Sequence, residues 1–325
     1  MKTIFFPDQT VADGAFAATI GFFDGVHQGH RFLLENLKRE AAERGMQSMA
    51  ITFERHPRQV VQKEWKPELL TELHEKLKLL KSTGIDAVVV LRFSKQMAAL
   101  SARDFMQLIY DRLGVRLLLT GYDNRFGHDR TEGFEDYQRY GQEIGIEVKG
   151  LPPAPSALGR RTLATEGTQE GREGNVSSSH VRQLLKDGNL AEANYCLGHP
   201  YAISGEVVHG EQIGRTIGFP TANLQPDGNK LIPKDGVYAV LVDIEDRAGL
   251  HGVMNIGLRP TFNGEKRTLE VNIIDGTGNL YGKTVTVRFC ARLRDEQQFP
   301  SADALAHQIE KDKEAAEQLL ANYKM

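Results

Sequence analysis

The hydrophobic pattern changes character near the middle of the chain, and that change limits the fold more than any other feature. In the first half, short apolar runs alternate with segments of helical periodicity. Residues 16–22, 49–53, 86–93 and 115–119 read as strands. Val88, Val89, Val90 and Leu91 form a continuous apolar run, as expected of a strand covered on both faces. Between the strands, residues 31–44 carry Phe32, Leu33, Leu34, Leu37 and Ala41 on one side, and Gly45 stops the helix. Residues 68–81 read as a helix ending before Gly84, and Ser101 can cap a further helix with Asp104 in its first turn. This rhythm predicts a parallel sheet with helices on both faces. From about Ile203 strands and turns take over, and residues 236–242, 251–256, 268–274 and 283–293 read as strands with glycine-rich turns. In the last of these, Val285, Val287, Phe289, Ala291 and Leu293 alternate with Thr286, Arg288, Cys290 and Arg292. A small antiparallel barrel is the expectation, covered by an amphipathic helix over residues 301–323. A single core rarely grows to 325 residues, so two domains are expected.

Charge and cysteine usage narrow the function classes. Forty basic residues against forty-three acidic ones leave a net charge of -3, which argues against a broad basic surface for nucleic acid. Cys196 and Cys290 are far apart and show no C-x-x-C spacing, so neither a disulfide framework nor a zinc site is expected. The first residues lack the apolar run of a signal peptide, and no stretch is long enough to span a bilayer. A soluble cytoplasmic protein acting on small molecules is the expectation; the oligomeric state is left open.

Gly21-Phe22-Phe23-Asp24-Gly25-Val26-His27-Gln28-Gly29-His30 falls between the first strand and the first helix. In a parallel sheet that junction is where ligands bind. A helix N-terminus offers free N–H groups and partial positive charge, and two imidazoles add donors. Gly25 and Gly29 allow close backbone approach to a phosphate. The arrangement suits a nucleoside triphosphate attacked at its α-phosphate. The alternatives are helix-end histidines without a ligand, or half of a metal site.

The string resembles the adenylyltransferase module of bacterial bifunctional riboflavin kinase/FAD synthetases, within the wider H-x-G-H nucleotidylyltransferases. Residues 121–127, Gly-Tyr-Asp-Asn-Arg-Phe-Gly, are similar to that module's second motif; Asp123 and Phe126 match, and Asn124 stands where phenylalanine is common. Val176-Ser177-Ser178-Ser179-His180-Val181-Arg182 is similar to its I-S-S-T-x-I-R motif, although an ordinary helix cap is the alternative for the serines.

A second constellation lies at residues 210–223, Gly-Glu-Gln-Ile-Gly-Arg-Thr-Ile-Gly-Phe-Pro-Thr-Ala-Asn. Gly214 and Gly218 permit a tight loop over phosphates, and Thr221 and Asn223 offer oxygens suited to Mg²⁺. The nearest likeness to a Walker A loop, residues 276–284, has a misplaced glycine and is read as a hairpin turn. Glu270 alternates with Leu269, Val271 and Ile273 and so faces away from them; it is either a general base or a surface glutamate. G-R-x-I-G-F-P-T-A-N is the signature of the riboflavin kinase module, which this half resembles. Residues 197–201, 236–239, 255–262 and 308–312 are also similar to it.

The resemblance implies a Rossmann-like nucleotidylyltransferase domain, residues 1–183, and a riboflavin kinase barrel, residues 184–325. It implies two uses of ATP, converting riboflavin to FMN and FMN to FAD. Gly21, Phe22, Asp24, Gly25, His27, His30, Ser178, Ser179 and Arg182 would meet the first domain's ATP, and Asp123 and Phe126 its flavin. Gly210, Gly214, Arg215, Gly218, Pro220, Thr221 and Asn223 would meet the kinase's ATP, with Mg²⁺ on Thr221 and Asn223 and Glu270 as base. A kinase with a weak transferase half is one alternative, since Asn124 and His180 depart from the commonest motifs. An adenylyltransferase for another acceptor and a flavin carrier without turnover are the others.

Overall fold

The computed structural model describes residues 1–9, 14–62, 64–121, 126, 132–152, 176–210, 218–226, 228–245, 247–261, 264–274, 276 and 278–323. The chain divides into two compact units, residues 1–68 with 73–177, and residues 69–72 with 178–325.

The first unit holds strands β1 (Lys2–Phe6), β2 (Phe16–Ile20), β3 (Gln47–Phe53), β4 (Ala87–Leu91), β5 (Val115–Gly121) and β6 (Glu147–Leu151). They form one sheet in the order β1-β4-β3-β2-β5-β6, parallel throughout. Its helices are α1 (Gln28–Glu43), α2 (Pro57–Val61), α3 (Leu73–Ser82), α4 (Lys95–Ala98), α5 (Ala102–Leu113) and α6 (Phe134–Ile144). Side chains alternate along each strand, so the sheet supplies two apolar faces. Ala18, Ile20, Met49, Ile51 and Val89 pack with Phe105, Met106 and Ile109 of α5. Ala17, Ala50, Val88 and Val90 pack with Leu34, Leu37 and Ala41 of α1. Helices therefore cover both faces. Ser101 caps α5 by accepting from the Asp104 N–H at 3.0 Å, as its sequence predicts.

Two expectations change here. β2 ends at Ile20, so residues 21 and 22 belong to the loop beyond it. Residues 68–72, expected in the helix, precede it: α3 begins at Leu73. Leu69 instead bridges to the second unit's own chain, donating to Asn229 O and accepting from Leu231 N–H, both at 2.8 Å. Lys230 Nζ donates to Leu70 O at 2.7 Å. The apolar Leu69-Leu70 pair continues the helical periodicity, but these bridges commit its backbone elsewhere.

The second unit comprises α7 (Ser178–Asp187), α8 (Leu190–Leu197), β7 (Tyr201–Val208), β8 (Ala222–Pro226), β9 (Gly236–Ile244), β10 (Arg247–Thr261), β11 (Gly264–Ile273), β12 (Thr284–Arg294) and α9 (Ala302–Ala321). The strands close into an antiparallel barrel in the order β10-β11-β8-β7-β12-β9. Tyr201, Tyr238 and Phe289 are buried, with the two tyrosine ring centroids 6.2 and 5.2 Å from that of Phe289. Ala316 and Leu320 of α9 cover Val237, Ala239, Leu241 and Val253 on another face. The expected boundary after residue 183 falls inside α7; the compact units part before that helix.

The alternation expected along β12 holds only to Phe289. A bulge shifts the register against β9 between Phe289 and Ala291, which turns Cys290 and then Ala291 and Leu293 toward α9. The strands flanking residues 276–284 do not pair as a hairpin turn there would require, because β8 and β7 lie between β11 and β12 in the barrel. The segment docks on β7 instead, where Gly282 N–H donates to Val207 O at 2.9 Å. No helix among the described residues is long and apolar enough to cross a membrane.

Candidate active sites

In the first unit the strand order reverses at β2. From β2 the chain adds β3 and β4 on one side, and β5 and β6 on the other. The crevice beyond the carboxyl end of β2 is therefore the topological switch point. Residues 21–27 fill that position. Asp24, Gly25 and Val26 form a short 3-10 turn. Phe23, Gly25 and Val26 take positive φ values of 53°, 79° and 41°. Glycine adopts this region readily; phenylalanine and valine do so at a cost of about 1–2 kcal/mol each. Strain of this kind persists where surrounding contacts over-determine it. Phe23 is buried, and the Phe22 carbonyl accepts from Thr52 Oγ1 at 3.1 Å and Lys76 Nζ at 3.1 Å.

His27 is the N-cap of α1 rather than a residue of its first turn, and it is 5% exposed. Its Nδ1 accepts from the His30 backbone N–H at 3.4 Å, which leaves the proton of the neutral ring on Nε2. The two rings stack with centroids 3.7 Å apart. A side chain at Gly29 would meet the His27 ring at 3.2 Å and the Val176 carbonyl at 3.3 Å, so glycine here lets the ring lie over the helix start. Burial, joined by His27 and Lys76, holds the His30 imidazole well below its ordinary pKa. His30 is therefore neutral near pH 7, and its Nδ1 is buried without a hydrogen-bond partner among the described residues. Asp24, 2% exposed, lies in the same loop.

Sequence reasoning missed three neighbours of this loop. Lys76 of α3 donates to the Phe53 carbonyl as well as to that of Phe22, with Nζ 4.2 Å from the Phe22 ring centroid. His56 packs edge-on to Phe22 at 4.7 Å and against Trp65, the single tryptophan, at 4.7 Å. No sequence spacing links these residues to the loop; only the adjacency of β2 and β3 does.

Asp123 and Asn124 lie outside the described residues. Phe126 is half-buried and stacks on Tyr137, centroids 4.1 Å apart, with its N–H donating to the Tyr137 hydroxyl at 3.0 Å. Ser178, Ser179 and Arg182 lie in the first turns of α7, which belongs to the second unit.

In the second unit, register brings the candidate site residues together. Glu270 of β11 stands directly opposite Asn223 of β8 on one side and Asn255 of β10 on the other. Residues directly opposite point to the same face, with Cβ atoms roughly 4.5–5.5 Å apart. The row continues to Val208 on β7 and Val237 on β9. Val237 lies under α9, so the row runs along the outer wall of the barrel and emerges beside that helix. Two residues along β11, Asn272 donates to the Pro220 carbonyl at 2.8 Å and anchors the Pro-Thr-Ala-Asn segment. A Cβ at Gly210 would stand 2.1 Å from Asn223 Nδ2, so only glycine lets the carboxamide lie there. Gly218 takes φ 86°, and Pro220 is exposed; Thr221 immediately precedes β8. Gly214 and Arg215 lie outside the described residues. Asn255 and Asn272 were not singled out as site residues from the sequence, because their positions follow from strand register alone.

Family profiles described as FAD synthetase and riboflavin kinase match residues 10–160 and 197–320 respectively. Bifunctional riboflavin kinase/FMN adenylyltransferases are similar over most of their length. That of Escherichia coli (strain K12) is 42% identical, covering 90% of this chain and 89% of the relative. The Bacillus subtilis (strain 168) relative is 33% identical, covering 93% and 92%. The chain belongs to the bifunctional riboflavin kinase/FMN adenylyltransferase family. A solved structure described as a macrolide-efflux protein from Streptococcus pneumoniae superposes over the full length of both chains, with 31% identity and a TM-score of 0.83. Family membership sets aside the adenylyltransferase for another acceptor and the non-catalytic carrier.

Proposed function

We propose that the two sites act in sequence, the barrel making FMN from riboflavin and the parallel-sheet unit making FAD from FMN. The observation that carries the reading is the presence of both sites in one chain: the stacked His27–His30 pair at the switch point, and the Asn223–Glu270 pair across β8 and β11.

In the barrel, the Glu270 carboxylate accepts the proton of the ribityl 5′-hydroxyl as its oxygen attacks the γ-phosphorus of ATP. The bond from that phosphorus to the β-phosphate oxygen breaks, and ADP leaves. Thr221 and Asn223 present neutral oxygen donors beside a carboxylate, a donor set that fits Mg²⁺. Bound there, Mg²⁺ would neutralise charge on the β- and γ-phosphates. Gly210 gives the Asn223 carboxamide its room; Gly214, Arg215, Gly218 and Pro220 are assigned to the kinase's ATP.

In the first unit, an oxygen of the FMN phosphate attacks the α-phosphorus of a second ATP, and pyrophosphate leaves. The nucleophile is already an anion, so no strong base is required. His27, through Nε2–H, and His30 stabilise charge on the α-phosphate, with the N–H groups at the start of α1 beside them. Gly21, Phe22, Asp24 and Gly25 form the loop beneath the triphosphate. Asp123 and Phe126 are assigned to the flavin. Small molecules are the only partners required. A cytoplasmic location is part of the proposal, supported by two free, buried cysteines whose thiols burial pushes up to about 11.

The test is chromatography of flavins from purified protein with ATP and Mg²⁺, started from riboflavin and, in parallel, from FMN. FMN followed by FAD is expected. FMN accumulating without FAD in either reaction would leave only the kinase half standing.

A further inference from the structure

Lys76 is 2% exposed. Lysine is almost never this buried unless it is paired, because its ammonium loses the most by leaving water. Here Nζ donates to the Phe22 carbonyl at 3.1 Å and to the Phe53 carbonyl at 3.0 Å. It also lies 4.2 Å from the Phe22 ring centroid, a cation–π contact. Both carbonyls leave the carboxyl ends of adjacent strands: Phe53 ends β3, and Phe22 comes two residues after β2. The ammonium therefore ties two strand ends together at the switch point. Thr52 of β3 donates to the same Phe22 carbonyl at 3.1 Å, so one backbone oxygen is held from two sides.

The strained turn begins at the very next residue. Phe23, Gly25 and Val26 all have positive φ, and His27 comes next as the cap of α1. A leucine or methionine would fill the same space without desolvating a charge. The lysine instead puts a positive charge under a loop that must receive a polyanion, close enough to contribute to the lowered pKa of His30.

We propose that Lys76 is a positioning residue for adenylyl transfer: its ammonium clamps the Phe22 and Phe53 carbonyls and so holds residues 21–27 in the shape that receives the triphosphate. The inference rests on the function proposed above, and it assigns Lys76 no contact with substrate. It requires the charge and donors of an ammonium at that place, not merely a filled cavity.

The experiment measures initial rates of FAD formation from FMN with varied ATP, and of FMN formation from riboflavin as the control. Lys76→Met is expected to lower kcat/KM for ATP in FAD formation by about a hundredfold, the usual consequence of a displaced binding loop. FMN formation should stay within twofold. Lys76→Ala should be rescued at least tenfold by added propylammonium and not by propanol, a neutral molecule of the same size. Wild-type protein making FAD in the same assay separates this inference from the reading on which it rests. Lys76→Met retaining FAD formation within threefold would overturn the proposal. So would equal rescue by propanol, no rescue by the amine, or parallel loss of both activities.

Discussion

The two sites are positioned by opposite means. The first unit uses a loop: residues 21–27 leave the carboxyl end of the central strand β2, turn through three positive φ angles and end on a histidine that caps α1. The barrel uses register: Asn223, Glu270 and Asn255 stand side by side because β8, β11 and β10 are paired at those residues. A loop of this kind has almost no regular hydrogen bonding of its own, so it relies on contacts from elsewhere in the unit. Thr52 and Lys76 provide them, and the loop's own Phe23 is buried against the unit. A strand row carries its own scaffold, and its weak point is crowding between neighbours. Substitutions remote from the chemistry should therefore harm the first site, whereas harm to the second should come from the row itself and from the groups packed against it.

The largest effect expected from this comparison is at Glu270. Glu270→Gln removes the proposed base without changing size, and riboflavin phosphorylation should fall by roughly 10²–10⁴-fold. FAD formation from supplied FMN should be unchanged, and loss of both would break the division between units. His30→Ala should do the converse, lowering FAD formation by about 10²–10³-fold and leaving FMN formation intact. Gly210→Ala sharpens the crowding argument, because its Cβ would overlap the Asn223 carboxamide. Kinase activity should fall by about 10²-fold, as for a displaced catalytic group; unchanged rates would mean that Asn223 has room to move.

The smallest effect concerns pH. In the folded first unit the His30 pKa lies well below the unfolded value of about 6.5. The unfolded chain therefore binds the proton first as pH falls. The contribution is complete above the unfolded value and is lost as pH drops through the folded one. Thermal unfolding of the first unit should soften on the acid side of about pH 6.5, and His30→Asn should soften less. An identical acid slope in the variant would contradict the buried, neutral assignment.

The sequence makes the loop legible because chemistry and periodicity meet there: G-x-H-x-G-H lies between an apolar run and an amphipathic helix. Glu270 is legible through alternation and the kinase signature. Lys76 is not, since a lysine within a helical pattern looks like any solvated lysine; its partners are backbone carbonyls on two other elements. The pairing of Asn223 with Glu270 needs the barrel order, which no local pattern encodes. Leu69 and Leu70 extend the helical pattern of α3 and yet belong to the barrel unit, because long-range bridges outweigh local propensity. The bulge that turns Cys290 toward α9 is likewise invisible in a clean alternation of side chains.

If two separate sites act in sequence, mixing the two inactivated chains should restore what neither does alone. Glu270→Gln protein alone and His30→Ala protein alone should each fail to make FAD from riboflavin, ATP and Mg²⁺. Combined in one reaction they should make it, with FMN appearing first. A mixture that accumulates FMN without FAD, or that makes neither flavin, would contradict two independent sites.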